Sequence, residues 1–229
     1  KFEFENKFNE NGAESFDDFK TYMENQYKAM RNEHGYWLLN ELNVKVCPYC
    51  NRHYTFTIKD KKISPEFDHF YPKSNYPYLA LSFYNLIPAC SVCNHTKSEE
   101  EIDKNPYIEG FYDNYKFRIR TKDGRENSLE WALEKEIEIA FTNINRNIDV
   151  FGLKMLYNEH IDYIKEIIDK AQAYNHSYYH SLIDSYKGLG KQEADIDRFV
   201  WGNYLENAEH EKRPLSKLTK DILEQLKIK

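Results

Sequence analysis

No stretch of the 229-residue chain approaches the roughly 20 consecutive apolar residues that a membrane span needs. The opening residues KFEFENKFNE also lack the apolar stretch of a secretory signal, so the expected location is the cytoplasm and no membrane association is expected. Basic charge is in deficit: 32 Lys and Arg face 38 Asp and Glu, a net charge of −6. That balance argues against non-specific polyanion binding by the protein as a whole. Internal repeats and low-complexity tracts are missing. Cysteine is scarce, at four, but a chain of this length buries an adequate core without disulfides. Aromatic residues, by contrast, make up 16% of the chain, with 19 Tyr, and charged residues 31%, a composition that reads as soluble and globular rather than disordered. The chain starts at Lys1 rather than Met, which leaves room for a piece upstream.

Residues 15–42 carry a Ser15/Asp18 capping pattern followed by Phe16, Phe19, Met23, Tyr27 and Met30 at helical spacing, which predicts one or two helices. Tyr54, Phe56 and Ile58 alternate, Asp60-Lys61-Lys62 supplies a turn, and the pattern returns from Ile63 to Phe70, as in a hairpin. A short strand is expected over Tyr84 to Pro88, then a helix from about Ser91 into the acidic run, ended by Pro106. Residues 115–121 and 135–142 alternate as a second hairpin around Asp123-Gly124, although SLEWALEKEIEIA also fits a helix. Beyond Asn147 the spacing is helical to Tyr186, Gly188 and Gly190 break it, and two further helices close the chain.

All four cysteines fall in two pairs of identical spacing, Cys47-Pro-Tyr-Cys50 and Cys90-Ser-Val-Cys93. Two such knuckles supply the four thiolates of a closed structural zinc site. Disulfides suit a cytosolic chain poorly, and a redox role for the first pair leaves the second unexplained.

Between the knuckles lie PEFDHFYPKS and LSFYNLIPACSVCNHTK. Phosphodiester hydrolysis needs a base for the attacking water and a cation for the charge that develops on oxygen. Asp68 and Asn94 offer oxygen donors suited to Mg²⁺ or Mn²⁺, and His69 is left as the base. Neighbouring residues on a strand point to opposite faces, so Asp68 and His69 serve one phosphate only if the strand ends or bulges there. Asn94 follows the second knuckle directly, where the zinc site would fix its position. Between residues 45 and 98 seven basic residues face three acidic ones, a local excess that fits a grip on phosphates. Lys97, Lys73, Arg52 and His53 are candidate substrate contacts. His176 and His180, four apart on a predicted helix, lack a third ligand for a metal.

Residues 45–98 resemble the HNH endonucleases, in which a ββα-metal core carries Asp-His on one strand, an Asn in the connecting segment and a final His or Asn on the helix. The resemblance implies Asp68 and Asn94 as metal ligands, His69 as general base and Asn85 as the residue bracing the loop. Here the final position is Asn94 where many relatives have His, and His95 stands beside it. The expected fold is α+β, a small zinc-stapled ββα-metal HNH core embedded in a mostly helical chain. Its expected parts are an N-terminal helical segment (1–44), a nuclease core with structural zinc (45–105), and a mainly helical region opening with a hairpin (106–229). The segment GNYLENAEHEKRPLSKLTKDILEQL, with DHFYPKS and YNLIPACSVCN, is similar to the Septu-type nuclease subunits of bacterial anti-phage systems. That resemblance implies an ATPase partner subunit, with residues 190–229 as a protein interface. The expected function is nucleic-acid cleavage, of DNA ahead of RNA. The competing reading is a zinc-stapled nucleic-acid-binding or adaptor module without catalysis, which has no need of Asp68, His69 and Asn94 together.

Overall fold

The computed structural model describes residues 16–109, 115–122, 136–174 and 176–228. A single 27-residue helix, α1 (Phe16–Leu42), leads the described chain. Its apolar side chains Tyr27, Met30, Leu38, Leu39 and Leu42 pack on Phe67 and Leu86, so burial of one stripe holds it in place. The capping position expected at Ser15 lies outside the described residues. Phe67 and Leu86 belong to β1 (Glu66–His69) and β2 (Leu86–Ala89), an antiparallel pair with Phe67 opposite Pro88 and His69 opposite Leu86. Pro88 has no N–H to donate, which a two-stranded sheet tolerates because both strands are edges. Helix α2 (Ser91–Lys97) follows at once, its first turn capped by the Cys90 sulfur accepting from Cys93 N at 3.4 Å.

The larger core lies beyond. β3 (Lys116–Thr121) and β4 (Ile137–Thr142) pair antiparallel, with Ile119 opposite Ile139, and their inward residues Phe117, Ile119, Ile137 and Ile139 are buried. The turn expected at Asp123-Gly124 lies outside the described residues. Around the hairpin pack α3 (Arg146–Val150), α4 (Leu153–Asn158), α5 (Ile161–Ala173), α6 (His176–Lys187), α7 (Glu193–Trp201) and α8 (Ser216–Gln225). One continuous apolar cluster joins these elements to the four cysteines. The C-terminal body also grips the first knuckle by hydrogen bonds, Leu215 N to Asn51 O at 2.7 Å, Asn51 Nδ2 to His210 O at 3.0 Å and Tyr157 Oη to Cys50 O at 2.5 Å. No helix among the described residues is long and apolar enough to cross a membrane.

Two expectations are corrected. The alternating residues 54–58 and 63–70 do not form a hairpin ladder. They meet only at an Ile58–Ile63 bridge over a 3₁₀ turn at Lys59–Lys61, and β1 pairs with β2 instead. The alternating side chains Tyr54, Phe56 and Ile58 face solvent, so no burial reinforces a ladder there. Helix α2 ends at Lys97, well before Pro106, where Ser98 turns the backbone out with φ 47°. The acidic run Glu99–Glu101 would have placed negative charge at the negative end of the helix dipole.

The free edge of β3 is completed by side chains of α8. Phe117 N donates to Asp221 Oδ2 at 2.9 Å, Ile119 N to Gln225 Oε1 at 2.8 Å, and Gln225 Nε2 to Ile119 O at 2.7 Å. Gln225→Leu leaves both backbone groups of Ile119 buried without partners. At roughly 1–3 kcal/mol for each such group, it should lower unfolding free energy by about 2–4 kcal/mol in denaturant titrations. A loss below about 0.5 kcal/mol, typical of a surface change, would show that α8 does not close this edge.

Candidate active site

Two tight turns bring the four cysteine sulfurs within 4.8 Å of one another, all buried. Cys50 Sγ and Cys90 Sγ are 4.0 Å apart, far beyond the ~2.05 Å of a disulfide. A tetrahedral zinc with Zn–S near 2.3 Å separates its sulfurs by about 3.8 Å, so the set has the right donors and nearly the right spacing. Burial pushes the Cys47 thiol up, and a dication among the four would relieve the cost of ionising them. Among the described residues this is the one cluster of His, Cys, Asp or Glu gathered closely enough to hold a metal through that many ligands.

The cysteine turns also deliver the side chains that grip Asp68. Tyr49, inside the first knuckle, donates its hydroxyl to Asp68 Oδ2 at 2.6 Å. From the end of α2, Lys97 Nζ donates to Asp68 Oδ1 at 3.3 Å and to the His69 carbonyl at 2.7 Å. Burial raises the Asp68 pKa and lowers that of Lys97, in each case against the attraction of the other. Lys97 is 0% exposed, so the expectation that it contacts a phosphate is corrected: its ammonium is turned inward as the counter-ion of Asp68.

β1 ends at His69, which allows Asp68 and His69 to line one cleft despite strand alternation. His69 Nε2 lies 3.0 Å from the Ala80 carbonyl. A carbonyl can only accept, so Nε2 carries the proton and Nδ1 keeps a lone pair. Burial, opposed by that hydrogen bond, lowers the His69 pKa to about 4, so the ring is neutral at neutral pH. The Tyr27 ring meets it edge-on at 4.6 Å.

Asn94 stands on the first turns of α2. Its Nδ2 donates to Glu66 Oε2 at 2.5 Å, which fixes the amide so that Oδ1 is the end remaining for a cation. Asn85 stays outside the cleft lining, accepting from Tyr71 N at 2.7 Å and donating to the Tyr71 and Leu79 carbonyls, each at 3.1 Å. It ties together the loop whose Ala80 carbonyl orients His69.

The cleft holds about 520 Å³. Its charged lining comprises Glu24, Glu66, Asp68 and Glu99 against Arg31 and Lys73, an acidic balance where a basic grip was expected. Lys73 is there, its Nζ 5.4 Å from the Tyr27 ring centroid. Arg52 and His53 are not among the lining residues: Arg52 Nε donates to His160 Nε2 at 3.0 Å and lies against Tyr157. The His176 side chain lies outside the described ones. Sequence reasoning missed Tyr49, Glu66 and the contribution of α1, whose Glu24, Tyr27 and Arg31 face the cleft at i, i+3, i+7. Glu24 and Arg31, charged residues on the helical face of Tyr27, are the available signal.

Residues 47–100 match the family model for HNH endonuclease. The chain carries an HNH domain. Over 137 residues it is also 22% identical to the Septu protein PtuB of Bacillus thuringiensis, a match covering 60% of this chain and 51% of the relative. The chain thus spans about half the length of that curated relative. No solved structure matches.

The cysteines of the HNH domain and its cleft residues should separate on mutation. Cys90→Ser is expected to abolish stoichiometric zinc, measured by atomic emission on purified protein, and to lower the unfolding midpoint, because metal-binding energy is folding energy. His69→Ala should change neither. Zinc lost from His69→Ala would make His69 a structural ligand.

Proposed function

We propose that this chain is a divalent-cation-dependent endonuclease that hydrolyses phosphodiester bonds of nucleic acid, DNA ahead of RNA, with zinc held by Cys47, Cys50, Cys90 and Cys93. The observation that carries the reading is His69: a neutral imidazole with its tautomer set by Ala80, lining one cleft with Asp68 and Asn94. The donors fit Mg²⁺ or Mn²⁺, being oxygens throughout. The Asp68 carboxylate accepts from Tyr49, from Lys97 and from the His69 backbone, which leaves one of its roughly four acceptor sites for a cation. When bound, such a cation neutralises charge developing on the phosphate and the leaving oxygen.

The residues of the chain do the rest. His69 Nδ1 takes a proton from water as the water oxygen attacks phosphorus, and the P–O bond opposite the attack breaks. Tyr49 and Lys97 hold Asp68 in place, while Glu66 holds Asn94. Lys73, a cleft cation whose charge acts on His69, serves a phosphate oxygen. Asn85 keeps the loop closed behind His69.

The resemblance to Septu-type nuclease subunits and the likeness to PtuB support a role in anti-phage defence in the cytoplasm, beside an ATPase subunit. The exposed Leu189 and Phe199, at and within the segment expected to form an interface, offer apolar surface for such a subunit. Helix α8 is mostly buried and offers little.

Plasmid and RNA incubated with Mg²⁺, Mn²⁺ or chelator test the activity. Cleavage should require Mg²⁺ or Mn²⁺, and His69→Ala should slow it by roughly 10²–10⁴-fold. Wild-type turnover in purified His69→Ala, or restoration by zinc alone, overturns the assignment; absence of cleavage under every condition favours the binding-module reading. Tyr49→Phe removes one support from Asp68 without touching the cleft. It should weaken Mn²⁺ affinity by about 10–100-fold in calorimetric titration while zinc content stays constant, and unchanged affinity would remove Tyr49 from the account.

A further inference from the structure

Of the seven basic residues in 45–98, only Lys73 lines the cleft. Lys97 is buried on Asp68, Arg52 is engaged by His160, and Lys73 lies over Tyr27. The other four, Lys45, Lys59, Lys61 and Lys62, are exposed. None of the four has an acidic partner among the described residues, and Asp60 is the one acid set among them. Lys59, Lys61 and Lys62 form the tip of a tongue, residues 54–63, closed by the Ile58–Ile63 bridge, and Lys45 stands at its base, where its carbonyl accepts from Thr55 N at 2.9 Å.

The same tongue displays apolar surface. Tyr54, Phe56 and Ile58, alternate residues on one face, are 49%, 48% and 46% exposed, and Ile63 is 51% exposed. The Tyr54 and Phe56 rings stack at 4.5 Å and 20°. Large apolar side chains grouped on a surface mark a contact site, and the unpaired lysines beside them select an anionic ligand. Rings that offer a stacking face together with lysines that follow a backbone are the two components of single-strand recognition. A duplex already stacks its bases internally and has none to offer. The tongue is also continuous with the cleft. Arg31, a cleft residue, donates to Ser64 Oγ at 2.9 Å and to the Pro65 carbonyl at 3.2 Å. Lys62 is six residues from Asp68 in the chain, at most ~20 Å of extended backbone.

We infer that residues 54–63 form a binding site for single-stranded nucleic acid, with Tyr54 and Phe56 stacking on a base and Lys59, Lys61 and Lys62 holding the phosphates beside it. This rests on the nuclease reading for its substrate class, but its test does not require cleavage. Binding of fluorescent oligothymidylate, and of a labelled duplex of mixed sequence, is measured by anisotropy in chelator across a salt series. The proteins are the wild type, a Tyr54→Ala/Phe56→Ala variant, and a Lys59→Glu/Lys61→Glu/Lys62→Glu variant. Zinc content and unfolding midpoint verify that both variants are folded.

The aromatic variant should lose about 5- to 150-fold in single-strand affinity, the equivalent of stacking one base, with duplex affinity unchanged. The lysine variant should bind more weakly and with a salt slope smaller by about 2, at roughly 0.7 per phosphate contact. Single-strand affinity at wild-type level in either variant overturns the inference. So does an equal loss of duplex affinity in the aromatic variant, or a wild-type self-association that the aromatic variant alone abolishes, which would make the stripe a protein interface. Tongue-dependent binding without cleavage in Mg²⁺ would retain this site and refute the nuclease reading. Cleavage with tongue-independent binding would do the reverse.

Discussion

Asp68 is clamped from two sides, by the Tyr49 hydroxyl and the Lys97 ammonium, and both arms of the clamp originate at the cysteine cluster. Tyr49 is part of the first CxxC turn; Lys97 ends the short helix that the second turn initiates. A carboxylate on a four-residue strand has little to hold it, since a two-stranded pair is marginal alone. Here the sheet contributes direction and the cysteine turns contribute position. The Lys97 bond to the His69 carbonyl extends the hold to the next residue, and Asn94 rides on the same helix. Loosening the cysteine cluster therefore disturbs all three proposed catalytic side chains together.

Burial sets the chemistry of the site in a consistent direction. It keeps His69 neutral and makes Asp68 and Lys97 mutually dependent, because neither charge is stable there without the other. The cleft they border is acidic, with Glu24, Glu66 and Glu99 around Asp68. Such a cleft attracts cations and repels bare phosphate, so affinity for a polyanion has to come from elsewhere on the surface. The lysines that supply it stand on the tongue, where they outnumber the one acid among them, Asp60, and form no ion pair among the described residues. On the proposed reading, cutting and holding fall to separate parts of one short segment.

Much of this could be read from residue order. Identical CxxC spacings, Asp-His before a proline and Asn directly after the last cysteine are local patterns, and the structure gathers them as local patterns require. The β3–β4 hairpin and the two closing helices were likewise legible as periodicity. What could not be read depends on side-chain direction. Lys97 looked like a surface lysine because its four neighbours are polar, and only the packing of α2 on β1 turns it inward. Tyr54, Phe56 and Ile58 alternate as a half-buried strand should, yet nothing among the described residues covers them, since Arg31 pins Ser64 and Pro65 so that the chain is redirected into β1. Tyr49 lies inside the strongest motif in the sequence, but spacing identifies the ligands of a metal and is silent on what stands between them.

Crystals of the zinc-loaded chain soaked in Mn²⁺, measured at the zinc and manganese absorption edges, test the coupling of the two sites most directly. Expected are one zinc peak inside the four sulfurs and one manganese peak bonded to the oxygens of Asp68 and Asn94, with Tyr49 still on Asp68 and His69 Nδ1 facing the metal-bound waters. Manganese held on Glu24 and Glu99, with Asp68 left to Lys97 alone, or a cysteine cluster without zinc, contradicts the account.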